Sequence, residues 1–274
     1  MEIDKISSIG RPLDFNYKTN KAIVIITTIN IIIGIAVSIT NQLKMPNLIF
    51  TGVSFGITFF ISWAISREID PDNHISAFIG LIPLFIILFF WPETNIAILF
   101  WLLISLRIIN RTTGLPARIF DSTMLCAISF LLSYFYSPIF GFLAAIVFLA
   151  DLKLINGQRF QLFFASLSVV LSSILIIINN QFFALSTFSM IQLLGILAIT
   201  IGFLFIPYFT KTVKSKGDQN DEPLSLSRIR AVQIFALISV LLVSFLEFGL
   251  TAMIPVWCAL AGLIMHRILL LFKK

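Results

Sequence analysis

Glu68, Asp70 and Asp72 place three carboxylates within five positions, and Asn73 and His74 follow directly. Oxygen donors this close together suit a hard divalent cation such as Mg²⁺, which takes one or two carboxylates and leaves coordination positions for a phosphate. Pro71 biases Asp70 toward an extended backbone, which would aim Asp70 and Asp72 to the same side. Glu68, Asp70 and Asp72 are therefore the candidate metal ligands, with Mg²⁺ as the candidate cofactor and His74 as a candidate general base. The alternative for the same residues is a solvated loop in which Asp72 or Asn73 caps the helix that follows.

A second set begins at Arg107 and runs through Asn110, Arg111, Thr112, Thr113, Gly114, Pro116 and Arg118 to Asp121. Guanidinium groups recognise phosphate and carboxylate through paired charge-assisted hydrogen bonds. Arg107 and Arg111 are four apart and share a face if the preceding helix extends that far. No Gly-Lys-Ser/Thr follows Gly114, so this is not a nucleotide phosphate loop. A third set holds Asp151, Lys153 and Arg159. Asp121 and Asp151 lie just inside apolar runs, where a charge is costly unless paired. By chain proximity Asp121 would pair with Arg118, and Asp151 with Arg159 or Lys153. The chemical reading makes His74, Asp121 and Asp151 catalytic, and Arg107, Asn110, Arg111, Arg118, Lys153 and Arg159 ligand-binding. The plainer reading is that the basic residues mark topology and the acids accompany them as partners.

The elements that must hold these residues are membrane helices. The chain has 274 residues, 58% of them apolar and 12% charged, with a mean hydropathy of +1.02. A soluble domain is about half apolar and a quarter charged, so lipid must solvate much of this surface. Ten apolar runs are each close to the ~20 residues needed to cross a bilayer, at approximately 22–40, 48–66, 75–91, 94–109, 119–136, 139–155, 161–178, 186–209, 229–246 and 250–271. Continuous runs such as Ile79 to Phe90 exclude the alternation of a membrane barrel. The fold class is therefore all-α, a polytopic helical bundle.

Eighteen of the nineteen lysines and arginines fall at every second gap between these runs, Lys44 being the exception. Basic residues beside spans stay on the cytoplasmic side. The alternation predicts ten crossings of the cell membrane with both termini cytoplasmic. Residues 1–21 then form a polar cytoplasmic start and 22–210 a bundle of eight helices. Residues 211–228 are a polar, flexible cytoplasmic linker, and 229–274 a final transmembrane hairpin. No small-residue cleavage pattern follows the first apolar run, which predicts a retained span. The net charge of +6 sits at span ends, where topology and anionic headgroups account for it and nucleic acid is not implied.

Cys126 and Cys258 lie inside apolar runs and read as packing residues. Gly52 with Gly56, and Ala198 with Gly202, have the spacing that lets helices approach closely in lipid. The middles of the spans hold no Asp, Glu, Lys or Arg, unlike many ion-coupled transporters. Three functions are compatible with this pattern. The first is a cytoplasmic-face site for a phosphate-bearing or lipid-linked ligand, with Mg²⁺-dependent transfer chemistry and phospholipid as partner. The second is a ten-helix small-molecule exporter, and the third a non-catalytic scaffold.

Overall fold

The computed structural model describes residues 6–11, 13–40, 42, 44–179, 185–220 and 222–272. The basic residues Lys5, Lys273 and Lys274 and most of the turn after Asn179 lie outside these. Ten α-helices follow one another: α1 Lys18–Thr40, α2 Asn47–Ile69, α3 His74–Phe90, α4 Ile96–Asn110, α5 Ile119–Phe135, α6 Ile139–Lys153, α7 Gln161–Asn179, α8 Met190–Phe209, α9 Leu226–Ser244 and α10 Gly249–Leu271. Extended pairing among the described residues is limited to two isolated bridges, Leu185 with Leu246 and Lys216 with Pro223.

Six helices, α1, α2, α7, α8, α9 and α10, are long and apolar enough to cross a membrane. The other four have 15 to 17 residues, or roughly 22–26 Å at 1.5 Å per residue. The turn joining α3 to α4 shows where this shortness falls. The Thr94 hydroxyl lies 3.1 Å from that of Thr58, at the middle of α2. The α3–α4 turn is thus drawn in beside α2 instead of reaching its far end.

Small residues set the closest helix contacts. A Cβ on Gly56 would fall 2.3 Å from Ile31 Cγ1 and 2.7 Å from the Thr27 carbonyl oxygen, so the Gly52–Gly56 pattern seats α2 on α1 within one chain. Gly262 meets Gly80 in the same way, where an added Cβ would lie 2.4 Å from the Gly80 nitrogen. That contact locks α10 to α3. The last two helices are integral to the bundle: α10 packs on α2, α3, α4, α8 and α9, and α9 on α2, α4 and α6. Trp63, Trp101 and Trp257 are buried, and the Trp101 and Trp257 indoles donate to Ser129 and Ser244.

Helices α1 and α8 are the least covered of the six long helices, with 28% and 17% of their most apolar windows buried. All the charged clusters gather at the opposite pole from the α3–α4 turn. There the C-terminal ends of α2, α4, α6, α8 and α10 meet the starts of α5, α7 and α9, as the hydrogen bonds below show. We call this the charged end.

Candidate functional site

The three carboxylates grouped by sequence around Pro71 part company in space. Glu68, on the last turn of α2, is 1% exposed and faces two guanidinium groups: Arg11 Nη1 at 3.3 Å and Arg107 Nε at 3.2 Å. Asn110 Nδ2 donates to the Glu68 backbone carbonyl at 2.8 Å. Asp70 follows α2 as its C-cap. Its two oxygens accept from Asn73 Nδ2 at 2.9 and 2.8 Å, and Asp70 Oδ2 lies 3.3 Å from Arg267 Nη2 at the end of α10. Asp72 turns to the 211–215 segment, where its carboxylate accepts the backbone N–H groups of Lys214 and Ser215 and the Ser215 hydroxyl.

Positions two apart around a helix end point in different directions, and each carboxylate has found a different partner. Among the described residues no three His, Cys, Asp or Glu side chains assemble as a metal site. The expected Mg²⁺ ligands do not fit that ion, because the carboxylates already accept from donors and Glu68 is held between two cations. Asn73 holds the N-cap position of α3 but makes no side-chain capping bond; its Nδ2 donates to Asp70. His74 is exposed at the first residue of α3.

Asp121 and Asp151 are both fully buried. Asp121 accepts from the Ser7 hydroxyl at 2.6 Å, from the Ser8 N–H and hydroxyl at 3.0 and 2.7 Å, and from the Arg118 N–H at 2.9 Å. It caps α5 and pins the chain's start in one stroke. Arg118 contributes this backbone N–H to Asp121. Asp151, near the end of α6, takes a two-pronged contact from Arg111 Nε and Nη2, both at 2.9 Å. Arg228 Nη1 adds a third at 2.9 Å and Gln161 Nε2 a fourth at 3.0 Å. Arg111 Nη1 also donates to the Asn156 carbonyl, and Arg228 Nη1 and Nη2 to those of Ile109 and Ile155. Chain neighbours were the wrong guide here: Lys153 and Arg159 are exposed, while Asp151 is paired with Arg111 and Arg228.

The charged end is also tied by the 211–225 segment, which composition alone would leave as a spacer. Asp218 N–H and Gln219 N–H donate to the carbonyls of Thr112 and Thr113, and Asn220 Nδ2 to that of Gly114. Gly114 has φ +85°, and a Cβ there would strike the Asn220 side chain. Glycine is needed at this position both for its backbone angle and for the close approach.

A polar opening lies beside this network. A cavity of about 280 Å³ lies between the Asp70–Asn73 turn, the end of α8, the 211–214 segment and Arg267. Its charged walls are Lys211, Lys214 and Arg267 with the carboxylates of Asp70 and Asp72; Thr210, Thr212 and Asn73 add hydrogen-bonding groups, and Phe209 is an apolar part of the wall. Lys211 and Lys214 are exposed at its rim. Burial pushes the Asp70 carboxyl above its ordinary range, against the opposing pull of Arg267 and Asn73. Burial acts the same way on Asp72, but the Ser215 hydroxyl and the backbone N–H groups of Lys214 and Ser215 outweigh it and hold that carboxyl below its ordinary range. A second hollow, of about 500 Å³ and mostly apolar, is lined by Ile6, Pro116, Arg118, Ile119, Phe120 and Phe160 among others.

Sequence reasoning missed Lys211, Lys214 and Arg267 as site residues and Arg11 and Arg228 as partners, having absorbed all five into the topology pattern. A signal was available for one of them. Arg228 lies in the first turn of an apolar helix, where a charge is costly unless it is paired or near the headgroups, so a distant acid was a candidate partner. No protein-family model, curated protein or solved structure matches this chain.

Proposed function

We propose that this multi-pass membrane protein binds a phosphate-bearing ligand at the charged end, in the cavity between the Asp70–Asn73 turn and the 209–214 segment. The observation that carries the reading is the meeting of Lys211, Lys214 and Arg267 on one cavity, where the two carboxylates of the lining, Asp70 and Asp72, are already held by Arg267 and by the Lys214 and Ser215 backbone. Cations with neighbouring donors are the recurring chemistry of phosphate recognition. Arg11, Arg107, Arg111 and Arg228 are spent on Glu68 and Asp151, and Arg267 on Asp70, so they hold the fold and leave anion binding to the exposed Lys211 and Lys214. With the basic residues retained on the cytoplasmic side, the cavity faces the cytoplasm at headgroup level.

The reading is one of binding. Asp121 and Asp151, the acids suggested for catalysis, have donors on both oxygens, and neither they nor His74 are among the residues that line the cavity. The test is a thermal-shift comparison in detergent with glycerol 3-phosphate against glycerol, because a ligand that binds only the folded state raises its melting temperature. Wild-type protein is expected to rise with glycerol 3-phosphate alone, and a Lys211→Ala/Lys214→Ala variant to lose the rise. An equal rise in both proteins, or none in the wild type, overturns the reading.

A further inference from the structure

We infer that the ligand of this cavity is a membrane lipid with an anionic phosphate headgroup, reached sideways from the bilayer along α8, and not a soluble phosphate compound. This rests on the cavity being a phosphate site and adds where the ligand comes from. Three features of α8 point there.

First, α8 is a peripheral helix. Among the described residues it packs only against α9 and α10, and Leu197, Ile201, Leu204, Phe205 and Tyr208 are each at least half exposed. No other described part of the chain covers this face, so in the membrane acyl chains lie against it. Second, that face ends at the cavity. Phe209, the last residue of α8, is 62% exposed and also forms the cavity wall. One side chain therefore touches both the lipid-facing surface and the polar chamber. Third, the approach is aromatic. The Phe205 and Phe209 rings stand 6.3 Å apart and the Tyr208 and Phe209 rings 5.3 Å apart. Tyrosine favours the interfacial zone where headgroup meets acyl chain, so Tyr208 marks that level on α8, with the Phe205 and Phe209 rings beside it.

The charges agree with the placement. Lys211 stands two residues past Phe209, so cations lie immediately above the apolar strip, in the order in which a phospholipid presents phosphate and tail. A soluble phosphate ester would need only the upper half of this arrangement.

The experiment is native mass spectrometry of the detergent-solubilised full chain, with dioleoyl phosphatidate and dioleoyl phosphatidylcholine as probes of identical tails. Phosphatidate is expected to be retained several-fold more than phosphatidylcholine. Lys211→Ala/Lys214→Ala is expected to abolish the preference. Phe205→Ala/Tyr208→Ala is expected to lower phosphatidate retention several-fold while glycerol 3-phosphate still raises the melting temperature. If glycerol 3-phosphate protects the wild type but phosphatidate is retained no better than phosphatidylcholine, the lipid inference falls and the phosphate site stands. The lipid inference falls in the same way if the Phe205/Tyr208 variant retains phosphatidate as the wild type does. If glycerol 3-phosphate and phosphatidate both fail to bind, both claims fall together.

Discussion

Arg228 Nη1 donates to Asp151 Oδ1 at 2.9 Å, joining the first turn of α9 to the last turn of α6 across 77 positions of sequence. Arg111 grips the same carboxylate from the end of α4, and Gln161 from the start of α7. Four helices therefore end on one buried anion, whose two cations are 8% and 4% exposed. Removing the anion strands two guanidinium groups in a place that water does not reach. Breaking a buried pair by deleting one partner costs about 3–5 kcal/mol, so Asp151→Asn is expected to lower unfolding stability by that order. A Lys153→Gln control on an exposed cation is expected to change it by less than about 0.5 kcal/mol. Denaturant titration of both variants in detergent checks the contrast, and equal stabilities would mean that the network does not lock the bundle.

Arg11, near the start of the chain, makes two ion pairs of different worth. Arg11 reaches Glu68, which is 1% exposed, and also Asp218, which is 40% exposed. Burial weakens the Arg11 charge, but Glu68 and Asp218 more than offset this and raise its pKa. Exposed pairs contribute about 0–1 kcal/mol, so Asp218→Asn is expected to leave the first helix anchored. Glu68→Gln exposes Arg11 and Arg107 to mutual repulsion across a buried site. It is expected to speed protease cleavage near Arg11 while the helical content, read by circular dichroism, stays constant. Faster cleavage with Asp218→Asn than with Glu68→Gln would reverse the assignment.

Asp70 and Asp72 should respond to pH with opposite signs. The folded protein holds Asp72 below the ordinary value of 3.8. Its stabilisation is thus complete above that value and is lost as pH falls through the lower folded pKa. Asp72→Asn is expected to melt earlier than the wild type at neutral pH, with the difference closing below roughly pH 4. For Asp70 the folded pKa lies above 3.8, so its favourable contribution belongs to the protonated form and fades as pH rises through the raised value. Asp70→Asn is therefore expected to melt no earlier than the wild type at neutral pH. Melting curves of the two variants between pH 3 and 7 decide the matter, and parallel behaviour would contradict both environments.

The helices were legible in the sequence, and the site was not. Apolar runs bounded by Pro46, Pro92 and Pro138 mark where helices must start or stop, because each run has one local solution in lipid. The gathering of basic residues was equally visible, as it follows from charge and spacing alone. Which arginine meets which acid depends on the packing of distant helices. Chain proximity suggested Lys153 or Arg159 for Asp151, and the structure supplied Arg111 and Arg228. Proximity also grouped Glu68, Asp70 and Asp72, although a helix end followed by proline sends them to Arg107, Arg267 and Ser215. Lys211 looked like part of a spacer because nothing local reveals that Thr112 and Thr113 hold the 218–219 backbone.

Two glycines give the final test, because the same change has opposite consequences at each. A Cβ on Gly262 would lie 2.4 Å from the Gly80 nitrogen and 2.9 Å from the Ser76 carbonyl oxygen, both backbone atoms that cannot turn aside. Gly262→Ala must therefore push α3 away from α10, opening the tightest seam between these two helices. At Gly195, on α8, an added Cβ meets nothing within 4 Å. Alanine there removes the entropic cost of glycine in a helix, a gain of about 0.5–1 kcal/mol. Gly195→Ala is expected to unfold at an equal or higher denaturant concentration than the wild type. Gly262→Ala is expected to lose about 1–3 kcal/mol, as overpacking does in other cores. A Gly262→Ala protein as stable as the wild type would show that α3 and α10 do not touch backbone to backbone.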